Sequence, residues 1–184
     1  MDKILSINDH INEICKKAIF AIRSIGRSRR YLPYDELKML VNSLVISSLD
    51  YCNSVLYGIP KYQRDKLQRI QNIAARMITE TRSTDHITPI LKNLHWLPVE
   101  ARINFNILLT TYKILNGQST SYLEPIIQEY HPSRTLRSST RWLLCIPSIK
   151  SSSYGERAFS AAGPELWNST DSRIDWKSWN SRNI

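Results

Sequence analysis

The groups in this chain that could do covalent or metal chemistry are three cysteines, four histidines and sixteen acids. Two-metal catalysis needs carboxylates gathered at one point, and the one adjacent acid pair is Asp35-Glu36. Both fall where a helix is expected to begin, and the macrodipole there favours carboxylates without any catalytic role. Cys15, Cys52 and Cys145 are odd in number and far apart, which gives neither a disulfide framework nor a zinc spacing. Cys15 and Cys52 stand on apolar faces and read as small core residues. His86 and His95 lack a second ligand pair at useful spacing, and His95-Trp96 reads as a packed corner. No phosphate-cradling glycine loop and no Gly-x-Ser-x-Gly elbow occurs. The expectation is therefore no catalytic residue, no metal and no cofactor.

The chain does carry positive charge. Its 184 residues have a net charge of +9 and a pI of about 9.6, a balance that favours nucleic acid or an anionic membrane as partner. Three blocks, residues 1–32, 61–82 and 131–184, are each net +4, and the stretches between them are net −2 and −1. The first block ends in Arg27, Arg29 and Arg30. The second places Lys61, Arg64, Lys66, Arg69 and Arg76 along one helix. The third holds Arg134, Arg137, Arg141 and Lys150, with Trp142 and Tyr154 interleaved. Each block has two readings. The arginines after the first helix suit a solvated helix end, where cations oppose the macrodipole, or a phosphate contact. The second block suits the outer face of an amphipathic helix or a backbone-tracking surface. The third suits a loosely ordered basic tail or a single-strand contact by charge and stacking.

The elements that must position these cations are mostly helical. Ile7, Ile11, Ile14, Ala18, Ile22 and Ile25 recur every three or four residues, the period of one helix face. Ser6 to Asn8 offer caps, Gly26 is expected to end the helix, and Phe20 points to the opposite side. A second helix should begin at Pro33–Glu36 with a core stripe of Leu37, Leu40, Leu44, Tyr51 and Val55. A third, from about Tyr62 to Thr79, carries Leu67, Ile70, Ala74, Met77 and Ile78. Gly58-Ile59-Pro60 hinges the two, since glycine suits the left-handed residue after a helix and proline the first turn of the next. A short helix after Asp85 stops before Leu94. A long fourth helix from Pro98 to Asn116, ended by Gly117, has little polar surface and reads as central. Ser121 and Glu124 form a capping box for a short fifth helix. From His131 the pattern weakens, with short strands expected around Trp142–Ile146 and one short helix in YGERAFSAAGPELWN. The expected fold class is mostly α: a compact helical bundle over residues 1–130, then a basic, partly irregular region over 131–184. A second stripe on the second helix, Ser43, Ser47, Asp50 and Ser54, is either a solvated polar face or a docking face for another protein part.

No run approaches the roughly 18–20 apolar residues of a membrane span, and MDKILSIND has none of the layout of a secretory signal. No membrane partner is expected. The location expected is intracellular, with nucleus and cytoplasm not told apart.

The stretches DYCNSVLYGIPKYQRDKLQRIQNIAARMIT, HITPILKNLHWLPVEARINFNILLTTYKILNG, RTLRSS and YGERAFSAAGPELWN resemble the region that follows the polymerase palm in reverse transcriptases of jockey-like non-LTR retrotransposons (LINEs). The resemblance begins near Leu5 and fades after Asn168. From Ser169 the chain departs from it: a Leu-Pro and a basic helical ending are expected there, and Asp171, Trp176 and Trp179 stand instead. The resemblance implies a thumb and C-terminal region that holds an RNA or DNA template–primer, with Ser43, Ser47, Asp50 and Ser54 turned toward a palm that lies elsewhere. It supplies no catalytic centre, because the family's Tyr/Phe-Ala-Asp-Asp palm motif is absent from these residues. On this reading the chain is a partial product or remnant of such a polymerase and is no enzyme by itself. The alternative is a helical protein-interaction module without a nucleic-acid role.

Overall fold

Ile11, Ile14, Ala18 and Ile25 are buried along one side of a helix, α1, that spans Ile7–Ser28. The computed structural model describes residues 7–131, 142–149 and 155–170, and the chain is mostly helical. Gly26 does not end α1, which runs on to Ser28. Gly26 is exposed, and a Cβ there would meet nothing nearer than the Met77 Sδ at 3.9 Å. Phe20 is exposed, as its place on the polar face of α1 requires.

The second helical region departs from the regular helix that its pattern predicts. It consists of α2 (Tyr34–Val41), a π-helical turn at Asn42–Ile46 and the single turn α3 (Ser47–Asp50). The chain then turns through Cys52 at φ 53 into a 3-10 turn, Asn53–Leu56. The buried residues are Leu37, Val41, Val45, Ile46, Leu49 and Leu56. Of the predicted stripe only Leu37 is buried; Leu44 is 50% exposed, Tyr51 69% and Val55 61%, and Leu40 is also at the surface. The reason lies in the spacing. Leu37, Val41, Val45 and Leu49 recur every four residues, and a 3.6-residue helix would wind such a stripe off its face by about 40° per step. A π turn widens the helix locally and brings the four-residue repeat back to one side. Cys52, expected in the core, is exposed.

Gly58, at φ 68, and Pro60, as the residue before the first turn, deliver the chain to α4 (Lys61–Thr79). Leu67, Ile70, Ala74 and Ile78 are buried as predicted; Gln63, Gln71 and Ala75 join them. Helix α4 packs against α1 and α2. After α5 (Ile87–Asn93), His95 takes φ 58. Its N–H donates to the Lys92 carbonyl at 3.0 Å, and the Trp96 N–H donates to the Leu91 carbonyl at 2.8 Å. This is a Schellman stop with Trp96 buried behind it, the packed corner that the sequence predicts. Helix α6 (Val99–Leu115) ends in the same motif at Gly117, φ 65, with Gln118 N–H on the Lys113 carbonyl at 2.8 Å. Helix α6 is not buried all round as a fully central helix would be: Phe105 and Leu109 are exposed.

The chain forms two compact units, residues 1–103 and 104–184, so the change of composition at His131 lies within the second. That unit has its own core of Tyr112, Ile114, Ile127, Leu144 and Trp167, with Trp142 and Phe159 packed against it. The predicted fifth helix is a three-residue 3-10 turn, Glu124–Ile126, without a side-chain cap. The strands expected around Trp142–Ile146 reduce to one antiparallel bridge, Glu129 to Leu144. The short helix is present as α7 (Phe159–Ser169). Its Asn168 amide serves Leu144 as a neighbouring strand would, donating to the Leu144 carbonyl and accepting from its N–H, both at 2.9 Å.

Two glycines separate tight from loose packing. A Cβ on Gly163 would stand 2.9 Å from the Thr111 Oγ1. That atom belongs to a fully buried residue and donates to the Ile107 carbonyl at 2.9 Å. Gly163→Ala should destabilise by about 1–3 kcal/mol, the usual cost of overpacking. Gly26→Ala, with ordinary contact distance available, should stabilise by about 0.5–1 kcal/mol through helix propensity. Urea denaturation followed by circular dichroism measures both, and equal effects of the two substitutions would contradict this packing.

Candidate nucleic-acid interface

Five of the cations picked out in the sequence lie on α4, and their surroundings sort them into two groups. Arg64 and Arg76 are committed to this chain. The Arg64 guanidinium meets the Glu100 carboxylate at 2.7 Å. Arg76 donates to the carbonyls of Arg82 and Asp85, the latter at 2.9 Å, while the Arg82 N–H donates to the Asp85 carboxylate at 3.0 Å. Arg76 thus closes the loop between α4 and α5. A guanidinium does this well because its planar fork can address two oxygens at once.

Lys61, Lys66 and Arg69 form the second group. All three are exposed, and Arg69 has no ion-pair or hydrogen-bond partner among the described residues. Position along the helix puts Arg69 roughly opposite the Leu67/Ile70/Ala74 stripe at about 100° per residue. Lys66 lies with its ammonium 6.0 Å from the centre of the Tyr62 ring, within cation–π range. Tyr62 and Ile73 are exposed on α4 as well. The surface therefore mixes cations with an aromatic ring, which suits phosphate and base contacts together. Lys66 also acts on Cys15. Burial raises the Cys15 thiol above its ordinary pKa, and the nearby ammonium offsets part of this. Cys15 is thus a small, partly buried group whose thiol is shifted away from the lowered pKa that marks reactive cysteines.

Arg27 and Arg30 are exposed, whereas Arg29 pairs with the carboxylate of Glu80. Glu80 ends α4 in the left-handed conformation, φ 57. Arg134, Arg137, Arg141, Lys150 and Tyr154 lie outside the described residues. Trp142, expected beside them as a stacking ring, is instead half-buried against the core of the second unit. It meets the Trp167 ring edge-on at 5.7 Å between centroids, and its carbonyl accepts from the Trp167 indole N–H at 2.8 Å.

The Ser43, Ser47, Asp50 and Ser54 stripe has a different character from a bare docking face. The Ser43 hydroxyl donates to the Met39 carbonyl at 2.8 Å, and that of Ser47 to the Ser43 carbonyl. Asp50 needs a partner and has one: the Arg102 guanidinium at 2.6 Å. Beneath this pair lies a cavity of about 10 Å³ bordered by Leu49, Asn53, Gln71 and Val99, room for about one water. Nothing in the spacing of Asp50 and Arg102, or of Arg29 and Glu80, announces either pairing, because each joins residues about fifty positions apart.

Among the described residues no three His, Cys, Asp or Glu side chains converge as a metal site would need, and no helix is long and apolar enough to cross a membrane. Compared with protein-family models, with curated proteins and with solved structures, the chain matches none.

The two groups of cations should behave differently on removal. Arg76→Ala should cost about 1 kcal/mol or more, because it takes charged donors from two loop carbonyls, and it should speed tryptic cleavage at Arg82. Arg69→Ala should change stability by no more than about 0.5 kcal/mol, as ordinary surface sites do. Urea titration and timed trypsin digestion of each variant check this; equal sensitivity of the two would remove the distinction.

Proposed function

We propose that this chain is the thumb-like, template–primer-holding part of a non-LTR retrotransposon reverse transcriptase, without the catalytic palm. The observation that carries the reading is the resemblance of its motifs, which runs from near Leu5 to Asn168. Two structural facts are in keeping with it: the chain is mostly helical, and α4 offers Lys61, Lys66 and Arg69 to solvent. In this role the cations contact phosphates, which hold the nucleic acid in register without reading its sequence. An intracellular location follows from such a partner. Polymer chemistry is left to a palm elsewhere, so the chain alone should incorporate no deoxynucleotide on a primed RNA template with magnesium or manganese.

A helical protein-interaction module is the second reading, and the exposed apolar residues Leu40, Leu44, Tyr51 and Val55 favour it. A polymerase palm is one partner such a surface could meet, beside the Ser43 and Ser47 stripe.

Salt dependence separates the two. Each neutralised phosphate contributes about 0.9 to the slope of log K against log salt on duplex DNA. Lys66→Ala with Arg69→Ala should flatten that slope by up to about 1.8, weaken binding to all sequences alike, and leave stability nearly unchanged. Titration of both proteins on a short primer–template at several salt concentrations is the measurement. Identical slopes from two folded proteins would favour the interaction module.

A further inference from the structure

A cleft among the described residues, about 310 Å³, has room for a small organic group and stands near the lower end of ligand-pocket sizes. Its walls are Arg29, Leu32, Tyr34, Leu37, Ile78 and Glu80. Leu37 and Ile78 are buried, so they make an apolar floor; Tyr34 is 51% exposed and stands at the surface. Arg29 and Glu80 face each other as an ion pair. Two further cations, Arg27 and Arg30, flank Arg29 in the chain and are exposed. The acids nearby are Asp35 and Glu36, also exposed, in the first turn of α2.

We propose that this cleft takes one unstacked nucleotide, its base on the apolar floor beside the Tyr34 ring and its phosphate on Arg29. A base has an apolar, stackable face and polar edges, which is the mixture the cleft presents. Aromatic rings and guanidinium planes are the usual platforms for unstacked bases. Glu80 holds Arg29 while the cleft is empty, and an arriving phosphate exchanges with it. That exchange is cheap on the Glu80 side, because the carboxylate is largely exposed and returns to water. A phosphate would meet the same Arg29 guanidinium that now pairs with Glu80, and a guanidinium can address phosphate oxygens in pairs. The proposal rests on the nucleic-acid reading above and deepens it: α4 would hold the backbone of a duplex while the cleft takes a nucleotide that has left the stack.

The test compares a blunt primer–template with one of equal duplex length that carries a short single-stranded overhang containing 2-aminopurine. Wild type should bind the overhang substrate about tenfold more tightly than the blunt one and change the 2-aminopurine fluorescence. Tyr34→Ala should bring the two affinities within about twofold and leave blunt-duplex binding alone, while Tyr34→Phe, which keeps the ring, should retain the preference. Glu80→Gln, which removes the competitor for Arg29, should tighten overhang binding about threefold or more. Adenosine monophosphate titrated alone identifies the other source of the same chemistry: Tyr34-dependent binding of it without an overhang preference would assign the cleft to free nucleotides. If blunt and overhang substrates bind equally and adenosine monophosphate does not bind, the cleft proposal is wrong while the thumb reading stands. If no nucleic acid binds with a salt-dependent affinity, the thumb reading fails as well.

Discussion

Two glutamines on α4 fix how the first unit is put together. Gln71 is almost fully buried and donates to the Leu97 carbonyl at 2.8 Å; Gln68 accepts from the Val99 N–H at 2.9 Å and donates to Gln71 at 2.9 Å. Leu97 and Val99 form the entry to α6, where the first backbone donors of a helix have no partner within it. Burying that entry against an apolar helix would leave polar groups unsatisfied at about 1–3 kcal/mol each. The glutamine pair removes this cost and fixes where the entry to α6, Leu97 to Val99, meets α4, since a shift of one turn would break both contacts. Arg64–Glu100 and Arg102–Asp50 then join the first turn of α6 to elements on either side of the same anchor.

How much of this is legible in the sequence depends on which rule each residue obeys. Helices α1, α4, α5 and α6 follow the regular helical pattern, and the sequence finds them and most of the buried positions of α1, α4 and α6. The second helical region does not follow it. Leu37, Val41, Val45 and Leu49 repeat every four residues, and Leu40, Leu44 and Val55 offer a competing stripe of the same residue types. A regular helix must choose between the two stripes, and it takes a π turn, which composition does not encode, to make the four-residue repeat the inner one. Gln63 and Gln71 escape the pattern for a related reason: an amide looks like surface until the carbonyl or side chain it serves is known. In the second unit the bridge between Glu129 and Leu144 rests on two backbone hydrogen bonds, Tyr130 N–H to the Leu143 carbonyl and Cys145 N–H to the Gln128 carbonyl. The Asn168 side chain takes up Leu144's own backbone groups, so the segment lacks the alternating run by which strands are recognised.

Cations show the same limit more sharply. A count along α4 gives five, and helical geometry puts Arg69 and Arg76 on one side about 10 Å apart by helix rise. Spacing cannot tell that Arg76 closes a loop of its own chain while Arg69 faces water. The distinction matters because a guanidinium that already satisfies two carbonyls would have to give them up to meet a phosphate. A solvated lysine or arginine gives up only water and counterions, and the release of counterions is itself the driving force for binding. Electrostatic footprint and available footprint are therefore different quantities, and the second is smaller.

The left-handed residues at the helix ends make the argument concrete. Gly58 and Gly117 take this conformation at little cost, but Cys52, Glu80 and His95 take it too, each at roughly 1–2 kcal/mol. At His95 the surrounding structure accounts for the cost: the Schellman bonds stop α5 and bring Trp96 into the core. At Glu80 the side chain is the difference, because glycine would end α4 equally well yet leave Arg29 without its carboxylate. An unpaired Arg29 would stand over the apolar cleft formed by Leu32, Leu37 and Ile78, where partial desolvation strengthens its pull on any anion. Glu80 moderates that pull without occupying the apolar floor. Backbone strain at the end of α4 and the electrostatics of the cleft are thus set by one residue.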